Sequence, residues 1–411
     1  MIKYSQYLTE AAQKNTHMEH LEDLVFNEGV DGTRKAITTL INMRNMLQGS
    51  SPRPSNLTVK WDGAPAIFAG IDPEDDQFFV AKKGIFNKNP QTFKSVEEIR
   101  NGGLSGELQS KFIAAFEEFS KLGIKKNVYQ GDLMFTKEDL KTETINGEDF
   151  ITFQPNTIVY AVPVGSSLAK KIRKARIGIV WHTLYSGKTL PEMSASFGKN
   201  IAKTFNDVSS VWQDDANYKD VSGTATFTDK ETKTLTSILS EAGKIFRSIS
   251  ANALNDIAGN EEFLIRLKTF NNTKVRAGQV ISDPINHVRN LVGYIREYYG
   301  KEMDKRKTDA GKQAQLDKQN ALLKYFDKNY KDLVKIYRMV ILLGQAKQMV
   351  VDKLNEAGSL KTFLRTRNGF SVTNQEGYVA IDKIGGAVKL VDRMEFSRAN
   401  FSPDVIKGWQ K

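Results

Sequence analysis

The chain has no cysteine. That excludes disulfides and every site built on thiolate ligands. Histidine is scarce, with four residues in 411, and the four do not converge. His17 and His20 stand one helical turn apart, which reads as a solvated helix face rather than a metal pair. Long apolar runs are missing too. The longest candidate, Met339 to Leu343, falls far short of the roughly 20 residues that span a bilayer. The opening Met1-Ile2-Lys3-Tyr4-Ser5-Gln6-Tyr7 lacks the apolar segment of a secretory signal. These absences lead us to expect a cytoplasmic protein with no membrane partner.

What is present reads as globular. Hydrophobic residues make up 40% and charged residues 26%, and the length suits two or three domains. The net charge of +11 is unevenly spread. Arg266 to Arg367 holds 22 basic and 10 acidic residues, whereas the remainder holds 37 and 38. The excess therefore sits in one segment, as in a polyanion-facing module joined to a neutral body. A solvated helical surface that happens to be basic is the competing reading.

The elements change character along the chain. Val30, Ala36, Ile37, Leu40, Ile41 and Met43 recur at helical spacing, so residues 1–54 read as an N-terminal helical segment, closed by the breaker Gly49-Ser50-Ser51-Pro52-Arg53-Pro54. Residues 55–205 are strand-rich. Short β-prone runs at Leu57–Lys60, Ala66–Ile71 and Phe78–Ala81 are joined in part by the turn Asp72-Pro73-Glu74-Asp75-Asp76. A helix is expected over Ser110–Leu122, and strands at Val128–Phe135, Thr157–Val162 and Ile177–Leu184. Residues 206–366 read as an inserted basic helical domain. Thr228 and Glu231 form a capping box, and Asp283-Pro284 opens a further helix. Another helix is expected from Gln313 to Glu356. Strand signals return in 367–411, at Gly377–Ile381 and Ala387–Val391, about a turn at Gly385-Gly386. The fold class expected is α+β: a largely antiparallel-sheet body interrupted by an α-helical domain.

The chemistry centres on Val59-Lys60-Trp61-Asp62-Gly63. A lysine closes a strand, and an acidic residue and a glycine follow in a tight turn. Such an amine is a nucleophile once it is deprotonated, which partial burial or neighbouring cations favour. Alone, the pattern is as readily a surface β-turn. Its setting carries more. The following hairpin ends in Ala81-Lys82-Lys83-Gly84. Further on come Tyr129-Gln130-Gly131-Asp132-Leu133, Gly178-Ile179-Val180-Trp181-His182, Glu376-Gly377-Tyr378-Val379 and Val388-Lys389-Leu390.

This ordered series resembles the covalent nucleotidyltransferase superfamily: DNA ligases, RNA ligases and mRNA capping enzymes. Lys60-Trp61-Asp62-Gly63 matches the signature Lys-x-Asp-Gly, whose lysine becomes adenylylated. The resemblance covers roughly 55–200 and 370–400, and not the helical block. It implies an adenylation domain, with ATP and Mg²⁺ as cofactors. It implies that Lys60, Glu376 and Lys389 are catalytic, Lys389 also binding the α-phosphate. The nucleotide-binding set it implies adds Asp62 and Gly63 in the turn, Lys83 on the nucleotide or the end to be joined, Asp132 on ribose or metal, and Trp181 stacked on the purine. Glu376 and Asp132 are the implied metal ligands.

Several positions depart from the family pattern. Lys83 stands where arginine is usual and cannot make a bidentate fork to phosphate. Asp132 is one methylene shorter than the usual glutamate. Trp181-His182 replaces Phe-Asp. Val391 occupies the place of a second lysine, with Arg393 as the candidate substitute. Only about twenty residues follow Lys389, too few for the OB-fold that DNA ligases and capping enzymes carry, which turns the expectation toward RNA ligases. The opening Met1 to Glu10 is similar to proteins of large tailed phages, for which the compartment would be the host cytoplasm. The expected function is therefore an ATP-dependent polynucleotide ligase, RNA preferred over DNA, that seals 5′-phosphate to 3′-hydroxyl ends through a lysyl-AMP on Lys60. Nucleic acid is the expected partner, with Tyr294, Tyr298, Tyr299, Tyr325, Tyr330 and Tyr337 interleaved among the basic residues for stacking or for packing. The alternatives are a non-catalytic nucleic-acid-binding or structural protein on a degenerate nucleotidyltransferase fold, and a DNA ligase or other adenylyl- or guanylyltransferase.

Overall fold

The computed structural model describes residues 20–49, 56–197, 199–217, 226–356, 360–381 and 387–410. The expected helix before residue 20, His17, most of the breaker ending at Pro54, and the turn at Gly385-Gly386 lie outside them.

After a single 3-10 turn (Leu21–Asp23) comes helix α1 (Leu24–Leu47), then strand β1 (Asn56–Lys60). Strands β2 (Ala66–Ile71) and β3 (Phe78–Ala81) form an antiparallel hairpin about the expected turn. Helices α2 (Val96–Asn101) and α3 (Gly106–Phe119) follow, then β4 (Val128–Thr136), β5 (Lys141–Ile145), β6 (Glu148–Phe153) and β7 (Ile158–Pro163). The short helix α4 (Ser167–Lys174) leads to β8 (Ile177–Ser186), β9 (Ser194–Phe197) and β10 (Val211–Asp215). Five helices come next: α5 (Asp229–Ser248), α6 (Ala251–Gly259), α7 (Glu261–Arg276), α8 (Pro284–Asp304) and α9 (Asp309–Asn355). The chain returns through β11 (Lys361–Thr366), β12 (Gly369–Val372), β13 (Gly377–Ile381) and β14 (Ala387–Leu390) to helix α10 (Arg393–Phe401).

The helix starts follow the sequence signals. Thr228 and Glu231 make the reciprocal capping box of α5. The Asp283 carboxylate accepts from the N–H groups of Ile285 and Asn286, with Pro284 at the first helical position of α8.

The protein is a mixed α+β fold. A six-stranded sheet has the order β10-β8-β4-β2-β3, with β9 also on β8. A five-stranded sheet runs β12-β11-β7-β6-β5, and a three-stranded sheet runs β1-β13-β14. Pairing is antiparallel among the described strands apart from β8 with β10.

The expected boundaries at 206 and 366 move inward. Strand β10 pairs with β8, and β11 pairs with β7, so residues 211–215 and 361–366 belong to the sheets and the helices occupy 229–355. Nor is the N-terminal segment a unit of its own. Leu24, Val25, Phe26, Leu40 and Met43 of α1 share one core with Leu235, Leu267, Leu291 and Leu333 of the inserted helices. The same core takes in Leu57, Tyr378, Ala380, Val388 and Leu390 from the three-stranded sheet. One apolar face of β1-β13-β14 is thereby covered by helices. The tyrosines of the helical block are part of this packing. Tyr299 and Tyr337 are buried, and Tyr294, Tyr298, Tyr325 and Tyr330 pack against the same core.

Candidate active site

Strand pairing brings together two motifs that lie far apart in the chain. Lys60, the last residue of β1, is paired with Gly377, the first of β13. Glu376 precedes Gly377 and so meets Lys60, and the Lys60 Nζ forms an ion pair with Glu376 Oε1. One strand further, Val379 is paired with Lys389 of β14. The glycine between these partners is required by close approach. Gly377 has φ of 150°, and a Cβ there would lie 2.7 Å from Val391 Cγ2 and from the Leu390 carbonyl oxygen.

Lys60 opens onto a cleft of about 710 Å³. Thr58, Lys60 and Trp61 line it from β1 and the turn after it. Phe68 comes from β2, and Lys83 with Gly84 from the end of the hairpin. Gln130 and Asp132 come from β4, and His182 and Tyr185 from β8. Lys389 closes the set from β14. Four of the expected residues, Lys60, Lys83, Asp132 and Lys389, thus face one cavity. Glu376 lies behind Lys60, its side chain only 9% exposed. Burial pushes its carboxyl up to about 7, against the pull of Lys60 downward, with Asp62 and Asp132 adding to the rise.

Three expectations are corrected. Trp181 does not face the cleft. It is fully buried on the other face of the six-stranded sheet, among Phe119 and Phe205 at 5.5 Å between ring centroids, and its Nε1 donates to Gln213 Oε1 at 3.0 Å. Successive side chains of a strand point to opposite faces, and in β8 it is Val180 and His182 that reach the cleft. Asp62 does not line this cleft either. Its carboxylate accepts from Asn156 Nδ2 at 2.6 Å and from the N–H groups of Thr157 and Ile158, each at 2.7 Å. It clamps the turn after β1 onto the start of β7. Arg393 does not stand in for a second lysine. Its guanidinium forks onto the Asp23 carboxylate at 3.0 and 2.9 Å, while Val391 is buried.

Gly63 serves the backbone. A Cβ there would lie 2.6 Å from Asp132 Cβ, so glycine lets the turn sit directly against β4. The turn is fixed further by Tyr160, whose hydroxyl accepts from the Asp62 N–H at 2.7 Å and whose ring lies 5.2 Å from that of Trp61.

Several cleft residues escaped the sequence reading. His182 Nε2 stands 3.7 Å from Asp132 Oδ1, and its Nδ1 is 2.6 Å from Thr183 Oγ1. The Tyr185 hydroxyl donates to Gln130 Oε1 at 2.7 Å. Phe68, Phe86 and Tyr185 form an aromatic cluster with centroids 4.4 to 5.9 Å apart. The Trp61 indole N–H is buried with no hydrogen-bond partner among the described residues. Ala66 and Phe68, two residues apart in β2, both line the cleft, as side chains on one face of a strand do.

Among the described residues no group of three or more His, Cys, Asp or Glu side chains converges as a metal cage. Asp132 and Glu376 still offer the oxygen donors that Mg²⁺ uses, since that ion is ordinarily held by one or two carboxylates and by substrate phosphates. No described helix is long and apolar enough to cross a membrane.

A family model described as "Family of unknown function (DUF6267)" matches residues 15–404. No curated protein and no solved structure matches the chain.

Proposed function

The chain belongs to the Family of unknown function (DUF6267), and we propose that it is a covalent nucleotidyltransferase, acting as an ATP-dependent polynucleotide ligase with RNA preferred over DNA. The observation that carries this reading is the ion pair of Lys60 with the buried Glu376, at a cleft that also gathers Lys83, Asp132 and Lys389. A nucleophilic amine, a carboxyl beside it and two further cations are what phosphoryl chemistry on a nucleoside triphosphate requires.

The proposed reaction balances as follows. Lys60 Nζ bonds to the α-phosphorus of ATP as the bond to the β-phosphate oxygen breaks. Pyrophosphate leaves, and the amine proton passes to Glu376 or to solvent. A 5′-phosphate oxygen then displaces Lys60 from the phosphorus, returning the electron pair to Nζ and leaving an adenylylated 5′ end. A 3′-hydroxyl oxygen attacks the 5′-phosphorus, loses its proton, and AMP departs. Lys83 and Lys389 offset phosphate charge. The purine lies against Phe68, Tyr185 or Phe197, which line the cleft where Trp181 does not. The unpartnered Trp61 N–H is a donor left over for the ligand. Asp132 or Glu376 would hold Mg²⁺, which would supply positive charge toward the triphosphate.

Arg393 and Val391 favour a second reading. With no cation in the place of the second lysine, the cleft is a nucleotide-binding site without transfer. Incubation with α-labelled ATP and Mg²⁺, with GTP in parallel, separates the two. The ligase reading expects a covalent label on the wild type and none on Lys60→Ala. No label from either nucleotide would leave the binding reading. A panel of nicked RNA, DNA and hybrid duplexes then tests the acceptor, with sealing of RNA-containing nicks expected.

A further inference from the structure

One line of charge lies far from the cleft. Lys324, Lys328, Lys331, Lys335 and Arg338 follow one another in α9 at steps of four, three, four and three. On an α-helix that spacing makes a single stripe. The buried residues Leu322, Phe326, Asn329, Leu333 and Ile336 occupy the opposite face. Lys324, Lys328, Lys331 and Arg338 are exposed. Among the described residues no carboxylate comes within 4.0 Å of any of these four in an ion pair. Lys335 donates to the carbonyl of Ser248 at 2.8 Å and lies 3.4 Å from Asp332. Ser248 ends α5, whose last turns add the exposed Arg247 and the exposed Lys244, the latter 3.7 Å from Glu241.

The contrast within the same module is informative. At the end of α8 and just beyond it, exposed cations are paired locally: Lys301 with Glu297 at 2.6 Å and Lys305 with Glu302 at 2.6 Å. A solvated helix face ordinarily interleaves its charges in that way. Among the described residues, Lys335 is the one member of the α9 stripe with such a partner, Asp332. The stripe runs about 21 Å along the helix axis. A duplex carries one phosphate per about 3.4 Å on each strand, so a line of that length lies beside about six phosphates.

We infer that this ridge of α9, widened by the end of α5, is a docking surface for a nucleic-acid backbone. The regular linear spacing fits a linear polyanion, and a row made mostly of lysines suits contact with phosphates, which carries no sequence information. Its place in the fold gives it a distinct role. The far end of α9 reaches the nucleotide-side sheet, where Asn355 Oδ1 accepts from the Tyr378 hydroxyl at 2.8 Å. Arg338 lies about 25 Å back along the helix from that contact. The ridge therefore holds the polynucleotide well away from the end being joined. That last step rests on the ligase reading, whereas the docking surface itself does not.

The test uses the full chain and a labelled single-stranded RNA and a labelled duplex, each of about 30 nucleotides per strand so as to exceed the ridge. Anisotropy is followed across salt for the wild type, for Lys328→Glu/Lys331→Glu/Arg338→Glu, and for the milder Lys328→Gln/Lys331→Gln/Arg338→Gln. A control, Lys170→Glu/Lys171→Glu/Lys174→Glu on α4, makes the same change in net charge elsewhere. The ridge variants should lose more than about tenfold in affinity near 0.1 M salt, and the log–log salt slope for RNA should fall by about 2, while the control stays within about threefold of wild type. Equal losses in ridge and control variants, or no binding by the wild type to either probe, would overturn the inference. Labelling with ATP is measured on the same proteins. If the ridge binds but no label forms, the ligase reading fails and the ridge stands. If label forms without ridge-dependent binding, the reverse holds.

Discussion

Lys60 and Glu376 show how far a linear motif carries. Both were named by short patterns, and one antiparallel register puts them side by side. The burial of Glu376 yields a prediction that no motif could give. Its carboxyl moves from 4.5 to about 7 in the folded protein. The folded state then binds the proton more tightly than the unfolded chain does. This contribution to stability is full below about pH 4.5 and is lost as pH rises through about 7, with a total on the order of 3 kcal/mol. Urea unfolding should therefore show Glu376→Gln gaining on the wild type by up to about 3 kcal/mol between about pH 5 and pH 8. A difference that stays flat across that range would contradict the claim that burial outweighs the pull of Lys60 at Glu376. Trp181 shows the limit of such patterns. Which residue of Val180-Trp181-His182 meets the nucleotide depends on strand parity, and a slip of one residue flips every side chain. The ladder between β4 and β8 carries two register shifts, between Gln130 and Gly131 and between Leu133 and Phe135, so parity could not be counted from the motif. Asp62 shapes the turn, as its place in the motif suggests, but its absence from the cleft has another reason. Its partners Asn156, Thr157 and Ile158 lie nearly a hundred residues away, and nothing local announces them.

Elements with strong periodicity were legible. The capping box at Thr228 and the Asp283-Pro284 start appear where the pattern put them, and the helix expected over Gln313 to Glu356 runs Asp309–Asn355. The sequence reading does not include strands β5, β6, β9, β10, β11 and β12. Strands β6 and β11 lie inside the five-stranded sheet, and their buried residues are mixed with exposed polar ones at one end. Strands β5, β9, β10 and β12 have a different reason. They are short edge strands, and Lys141–Ile145 and Gly369–Val372 are largely exposed, so they lack the apolar signal that marks a buried strand. The join between elements is also tertiary. Lys347 of α9 forms an ion pair with Glu22 at 2.7 Å, and Arg393 at the start of α10 lies 3.8 Å from the same carboxylate. Burial pushes Glu22 up, yet Lys347, then Arg393 and His20, outweigh it and hold the carboxyl at about 2. This pair stabilises above about pH 4.5 and is lost as pH falls toward 2, the opposite sense to Glu376. Removing one partner leaves a buried charge. Lys347→Met should cost about 3–5 kcal/mol at neutral pH, and adding Glu22→Gln should recover most of it. Chemical unfolding of the two variants checks this, and a Lys347→Met protein as stable as wild type would show that the pair does not join these elements.

At the scale of the molecule, the helical block is structural to the site rather than appended to it. Helices α1 and α5–α9 cover the back of β1-β13-β14, the sheet that carries Lys60 and Lys389 and pairs Lys60 with Glu376. Charge asymmetry revealed the block in the sequence, but its partnership with α1 and with that sheet depends on contacts between residues hundreds of positions apart. Replacing 229–355 by a flexible linker should therefore expose Leu57, Tyr378, Ala380, Val388 and Leu390 and abolish cooperative thermal unfolding. A soluble, cooperatively folding body from that deletion would contradict the shared core. The proposed activity rests on this whole arrangement delivering one reactive amine to one cleft. The most direct test is mass-spectrometric mapping of the full chain after incubation with ATP and Mg²⁺. The account predicts a single added AMP, located on Lys60 and absent from Lys60→Ala. An unmodified Lys60 peptide, or AMP carried on another residue, would contradict it.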